Sequence, residues 1–169
     1  NGNFIIPLIC QEIEYVDKLM VKAKINDKYG LVDLNNNTVI PFIYQKISNF
    51  ENGIAEAMKN GLFGYIDMYG NEITQNKIEI VDGIYKGEKF GLWGIEDSFE
   101  KNILPFEYSE IQFTVDGKLK LKQKDRYGYA AIDGNIVIPV IYETIYDFVG
   151  GKAKAKKDSF YGYINENGN

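Results

Sequence analysis

The phrase VIPFIY at Val39–Tyr44 returns as ILPFEY at Ile103–Tyr108 and as VIPVIY at Val137–Tyr142. IIPLIC at Ile5–Cys10 is the same phrase with cysteine in the tyrosine slot. All four prolines of the chain fall inside it: Pro7 and Pro41 are 34 residues apart, as are Pro105 and Pro139, while Pro41 and Pro105 are 64 apart, two periods less four. A phrase that recurs at fixed spacing marks a structural unit that stacks on copies of itself.

An aromatic residue followed by glycine gives the second landmark, at Tyr29-Gly30, Phe63-Gly64, Phe90-Gly91, Tyr127-Gly128 and Tyr161-Gly162. Turns follow near positions 2, 36, 70, 134 and 168. The expected organisation is a single array over residues 1–169 of about five 34-residue units, cut from a longer chain. The third copy is irregular, with Gln75 in the proline slot and Ile78 in the tyrosine slot. Counted from Phe90-Gly91, it is trimmed on one side and extended on the other, which fits either drift in an exposed loop or an interruption shaped by a ligand.

Within each unit the apolar residues alternate. MVKAKI (Met20–Ile25), IAEAMK (54–59), KLKLKQ (118–123) and KAKAKK (152–157) fall in register with period two, the mark of a strand with one buried face. The expected inward pairs are Val21 and Ala23, Ala55 and Ala57, Leu119 and Leu121, Ala153 and Ala155. The aromatic-Gly segment completes a hairpin, and its glycine suits a bulge or a close backbone contact, so a Cβ at Gly64 or Gly128 should collide with a neighbouring strand. Proline, with fixed φ and no N–H, then opens an edge strand. No stretch of ten residues carries a 3.6-residue apolar stripe, which leaves helix to short turns at most.

The fold expected is therefore all-β, a tandem array of β-hairpin repeats. An open solenoid or superhelix is preferred over a closed five-bladed, propeller-like ring, since 34 residues hold three ordinary strands or four very short ones. FGYIDMYGNEI at Phe63–Ile73, together with IPFIYQKISNFENGIAEA at 40–57, resembles the WG (KWG) repeat family of bacterial proteins. The resemblance covers nearly the whole chain and implies an all-β interaction module with no transferable catalytic residue. Tyr or Phe stands in most of the Trp-Gly slots, and Trp93-Gly94 lies three residues beyond the Phe90-Gly91 landmark.

Composition narrows the chemistry. The chain has no histidine, which removes the commonest zinc ligand and the usual general base at neutral pH. A lone Cys10 excludes an intrachain disulfide and fits cytoplasmic and secreted settings alike. No apolar run approaches the length of a membrane helix, so no membrane insertion is expected. No nucleotide-binding or metal-ligand motif is present, and neither an enzyme activity nor a cofactor is expected. Asp33 and Asp67, three residues after their glycines, supply too few oxygens for calcium and read as turn caps.

Charge is distributed unevenly along the chain. Residues 1–114 carry 10 Lys against 17 acids, net −7, whereas residues 115–169 carry 9 basic residues against 7 acids, net +2. Lys118, Lys120 and Lys122, and Lys152, Lys154 and Lys156, alternate with the inward pairs and are expected to project on one side. Such lysines either bind an acidic protein or anionic polymer, or simply keep strand faces soluble. Tyr85 and Trp93 are the aromatics expected to point outward from the irregular copy. The leading expectation is a protein-interaction or scaffold module; a carbohydrate or cell-envelope binding module, and an accessory domain of an enzyme whose catalytic part lies elsewhere, are the alternatives. Nucleic acid is not an expected partner, given the acidic total and the lack of an Arg-rich motif.

Overall fold

A computed structural model describes residues 9–169, and every regular element in it is a strand. The strands form five small antiparallel sheets, none closed into a barrel, each a meander of consecutive strands. The first contains β1 (Glu12–Tyr15), β2 (Met20–Ile25), β3 (Lys28–Asp33) and β4 (Thr38–Tyr44), and the second β5 (Lys46–Ile47), β6 (Ile54–Lys59) and β7 (Leu62–Asp67). The third contains β8 (Gln75–Val81), β9 (Ile84–Lys89), β10 (Leu92–Asp97) and β11 (Asn102–Tyr108). The fourth contains β12 (Glu110–Phe113), β13 (Leu119–Gln123), β14 (Arg126–Ala130) and β15 (Ile136–Tyr142). The fifth is β16 (Thr144–Ile145), β17 (Lys152–Lys157) and β18 (Phe160–Asn165). Two compact units result: Asn1–Thr74 with Lys89–Gly91, and Gln75–Glu88 with Leu92–Asn169.

Alternation does what the sequence predicts, since all eight residues of the four expected inward pairs are buried. Sheets stack face to face within each unit. In the first, Leu31, Ile40 and Tyr44 of the first sheet meet Ile47, Ala55 and Ala57 of the second. In the second unit, Ile95, Leu104 and Tyr108 meet Ile111, Leu119 and Leu121, and beyond them Tyr129 and Ile138 meet Ile145, Ala153 and Ala155. The small or aliphatic face of one sheet thus covers the lysine-and-aromatic face of the sheet before it. Burial at this contact pushes the phenols of Tyr108 and Tyr129 up, and that of Tyr44 to about 12.

Proline sets the position of the glycine. Pro41, Pro105 and Pro139 lie in the edge strands β4, β11 and β15, where a missing N–H breaks no inner ladder. Opposite Pro139 the register jumps from Tyr127↔Tyr142 to Tyr129↔Ile138, a bulge that brings backbone onto Gly128. A Cβ there would lie 2.5 Å from the Ile138 carbonyl oxygen, and one at Gly30 would lie 2.6 Å from that of Ile40. At Gly64 the obstacle is the Phe90 ring, at 2.8 Å.

The third copy corrects the register read from the sequence. Phe90-Gly91 is the tight turn between β9 and β10, with φ of 50° and 71°. The glycine of the repeat is Gly94, packed under Phe106 as Gly30 is under Phe42, and Trp93 pairs with Tyr108 as Tyr29 does with Tyr44. Trp93-Gly94 therefore stands in its slot, and the irregularity lies upstream. Four missing residues fuse the proline strand of the second copy with the short first strand of the third. Gln75–Val81 pairs with β9 as part of the third sheet, and the second sheet keeps three strands plus the Ile66↔Glu72 bridge. The expected turns at 36, 70, 134 and 168 are present with positive φ, joined by Glu100 at φ 62°, while position 2 lies outside the described residues.

Candidate binding face

The corrected register exposes a column of lysines at strict spacing. Lys86, Lys120 and Lys154 are 34 residues apart, as are Trp93, Tyr127 and Tyr161. Each ammonium lies over the ring of its own sheet, Lys86 at 4.4 Å from the Trp93 centroid, Lys120 at 5.9 Å from Tyr127 and Lys154 at 4.4 Å from Tyr161. A cation over an aromatic face is attracted by the ring quadrupole, more so when partly desolvated.

What differs along the column is the second partner. Lys86 Nζ donates to the Ile111 carbonyl at 3.1 Å and Lys120 Nζ to that of Ile145 at 3.4 Å, each oxygen belonging to the first strand of the following sheet. In the other unit Lys22 Nζ does the same to Ile47 at 3.3 Å, with Asn49 Oδ1 and Glu14 also in reach. These lysines run their stems through the stacking interface and cap the next sheet. Period-two alternation predicts a solvent face for Lys120; the structure covers that face with the fifth sheet.

Lys154 has no such carbonyl. Among the described residues its partners are the rings of Tyr161 and Tyr146, and no sheet follows over the outer face of β17. Tyr163, paired with Lys154 across β17 and β18, is 74% exposed, while its counterpart Tyr129 is 5% exposed. The outer face of the fifth sheet is thus a patch of exposed tyrosines and cations.

The expected lysines do not act as one group. Lys152 and Lys154 are exposed and lack an acidic partner, but Lys156 is bound by Glu143 at 2.7 Å, which holds its ammonium above the ordinary lysine range. Lys118 is held by Asp116 at 2.6 Å and by Glu166 at 3.6 Å, and Asp116 raises its pKa too. Lys122 lies 5.5 Å over Tyr127. Tyr85 and Trp93 are half-buried, capped by Lys77 at 4.8 Å and by Lys86, and so lie less open than expected.

The aspartates are turn caps. Asp33 accepts from the N–H groups of Asn35 and Asn37 and from the Asn37 side-chain amide, and Asp67 repeats this with Tyr69 and Asn71. Asp97, hidden from the sequence by the misplaced third copy, caps through Phe99 and Lys101. Sequence reasoning also misses Glu96, fully buried with its carboxylate 2.9 Å from Lys77 Nζ; in strand alternation alone it reads as one more polar residue near a turn. Among the described residues no cluster of three or more acidic or cysteine side chains could hold a metal, and no helix is long and apolar enough to cross a membrane.

No curated protein matches the chain. Solved structures give only distant likenesses. One is KlHsv2 with loop 6CD replaced by a Gly-Ser linker, at 7% identity and a TM-score of 0.34 over 92% of this chain and 62% of that one. Another is the extracellular domain of BT4673 from B. thetaiotaomicron, at 7% identity and 0.32 over 90% and 26%. The chain spans less than two thirds of either. Neither likeness places a functional residue here. The sequence model of the WG containing repeat matches residues 29–63 and 127–159, the first from Tyr29-Gly30 through the first proline strand and the second from Tyr127-Gly128 to the β17–β18 turn. The chain carries tandem β-repeats of the WG type.

Proposed function

We propose that this repeat module is a non-enzymatic interaction module whose binding surface is the outer face of the fifth sheet, and that it takes an acidic protein segment. The observation that supports this reading is the contrast at Lys154: its repeat-mates are satisfied by a following sheet, whereas Lys154 offers an unpaired ammonium between exposed rings. With Lys152 beside it, the face carries positive charge on a chain of net −5, which steers an acidic partner to this end. Poly-L-glutamate is a suitable probe. Its binding should weaken as salt rises, because exposed charges are screened within about 8 Å at physiological ionic strength, and should be lost in a Lys152→Glu, Lys154→Glu double variant. Binding indifferent to salt and to both changes would overturn the reading.

A carbohydrate-binding role is the second reading, favoured by the neighbouring exposed rings of Tyr161 and Tyr163, which could stack on sugar faces. Soluble oligosaccharides that compete with poly-L-glutamate would support it. An accessory role beside a catalytic domain elsewhere in a longer protein is compatible with either surface.

A further inference from the structure

We infer that the outer face and open edge of the fifth sheet receive the N-terminal end of a second copy of this chain, with Phe4–Cys10 adding to β18 as a fourth strand. The inference rests on the reading of that face as a binding surface and names one partner for it.

Both halves of an unmade repeat contact are present in the chain. On one side, β18 has no fourth strand among the described residues, and a Cβ at Gly162 would meet nothing within 4 Å, whereas every glycine in the same slot of the other sheets is covered at under 3 Å. On the other side, Phe4–Cys10 has the sequence of a proline strand, one period before Thr38–Tyr44, with Ile6, Pro7 and Cys10 in the slots of Ile40, Pro41 and Tyr44. Residues 1–8 lie outside the described structure, but the junction after Cys10 is described. Gln11 N–H donates to the Lys24 carbonyl, as Gln45, Ser109 and Glu143 donate to Met58, Lys122 and Lys156 directly after their proline strands. The short strand that follows is uncovered as well. Ile13 is 53% exposed, whereas Ile47, Ile111 and Ile145 in its slot are at most 4% exposed.

Repeat equivalence fixes the docked register. Tyr29, Trp93 and Tyr127 stand opposite Tyr44, Tyr108 and Tyr142. Tyr161 therefore stands opposite Cys10 of the second copy. Ile13 then lies over Tyr163, and its carbonyl accepts from Lys154 as that of Ile145 accepts from Lys120. Charge favours the pairing, since Glu12 and Glu14 flank Ile13 and approach Lys152 and Lys154. The contact is head-to-tail, so it leaves one donor and one acceptor end free and propagates.

Because Cys10 is the sole cysteine, Tyr161→Cys tests the register directly. Cross-strand partners lie about 4.5–5.5 Å apart between Cα atoms, within disulfide reach. Diamide, which accepts the two electrons and two protons released, should convert this variant of the 169-residue chain into dimers and longer species that reductant cleaves. The rate should exceed that of Phe99→Cys, an exposed control outside the contact, by about tenfold or more, the gain expected from held proximity. In parallel, sedimentation of the unmodified chain should show a mass that rises with concentration. Ile13→Glu should return it to monomer without moving the thermal midpoint. Cross-linking no faster than the control, a disulfide confined to one chain, or a strictly monomeric parent protein would each overturn the inference. Ile13→Glu should still bind poly-L-glutamate, so failure of self-association and failure of the binding face are separate results.

Discussion

The tripeptide Tyr-Gly-Tyr occurs at Tyr127–Tyr129 in the fourth sheet and again at Tyr161–Tyr163 in the fifth, with the same strand hydrogen-bonded on one side. In the fourth sheet the central glycine is pressed by backbone and the second tyrosine is buried beside Phe148, ring centroids 5.7 Å apart and edge-on. In the fifth the glycine faces open space and both tyrosines are exposed. Identical residues therefore have different energetic roles, set by whether another strand and another sheet follow. Burial in a repeat protein belongs to the neighbour as much as to the residue.

That contrast can be broken by matched substitutions. The largest difference is expected at the second tyrosine. Tyr129→Ala should cost about 3–5 kcal/mol, the usual loss for a buried aromatic, and Tyr163→Ala within about 0.5 kcal/mol as a surface change; urea midpoints of the two variants measure the difference. Next comes the glycine. Gly128→Val forces a Cβ into the Ile138 carbonyl and should cost about 3 kcal/mol. Gly162→Val should be near neutral, and Gly64→Val intermediate because the Phe90 ring can shift where a carbonyl cannot. Equal midpoints for the Gly128 and Gly162 variants would show that the bulge yields.

Lysine gives a smaller contrast. Lys120→Met removes the donor to the Ile145 carbonyl and should cost about 1 kcal/mol, while Lys154→Met should leave the thermal midpoint unchanged. The smallest effect concerns protons. Hydrogen bonds from the Asn37 side chain, then from the Asn37 and Asn35 backbone, hold the Asp33 carboxyl below its ordinary range. Its contribution is present above the unfolded pKa of about 3.9 and is lost as pH falls through the lower folded value. Carbon chemical shifts of Asp33 followed through acid should give a midpoint below that of an unfolded peptide, and Asn37→Ala should raise it.

Strands, prolines, turn caps and inward pairs are legible in the sequence because each depends on residues within one hairpin. The third copy is misread because Phe90-Gly91 imitates the aromatic-Gly landmark while serving as a turn. Lys86, Lys120 and Lys154, with Gly94, Gly128 and Gly162, carry the signal that resolves it. The lysine column shows a different limit. Period two separates one side of Lys120 from the other, but it carries no information on whether a further sheet covers the outer side. Coverage depends on the next copy, and there the candidate face shrinks from six lysines to Lys152 and Lys154.

Each strand pairs only with its neighbours in sequence, and even the most distant partners, such as Tyr127 and Tyr142, belong to one continuous meander. Closing such ladders costs little loop entropy, so individual sheets should form quickly and early. Under tension the same connectivity makes each meander a separate spool of chain. A pull on the two ends should pay out length in discrete steps, one sheet at a time, and each step should rewind when the load is removed.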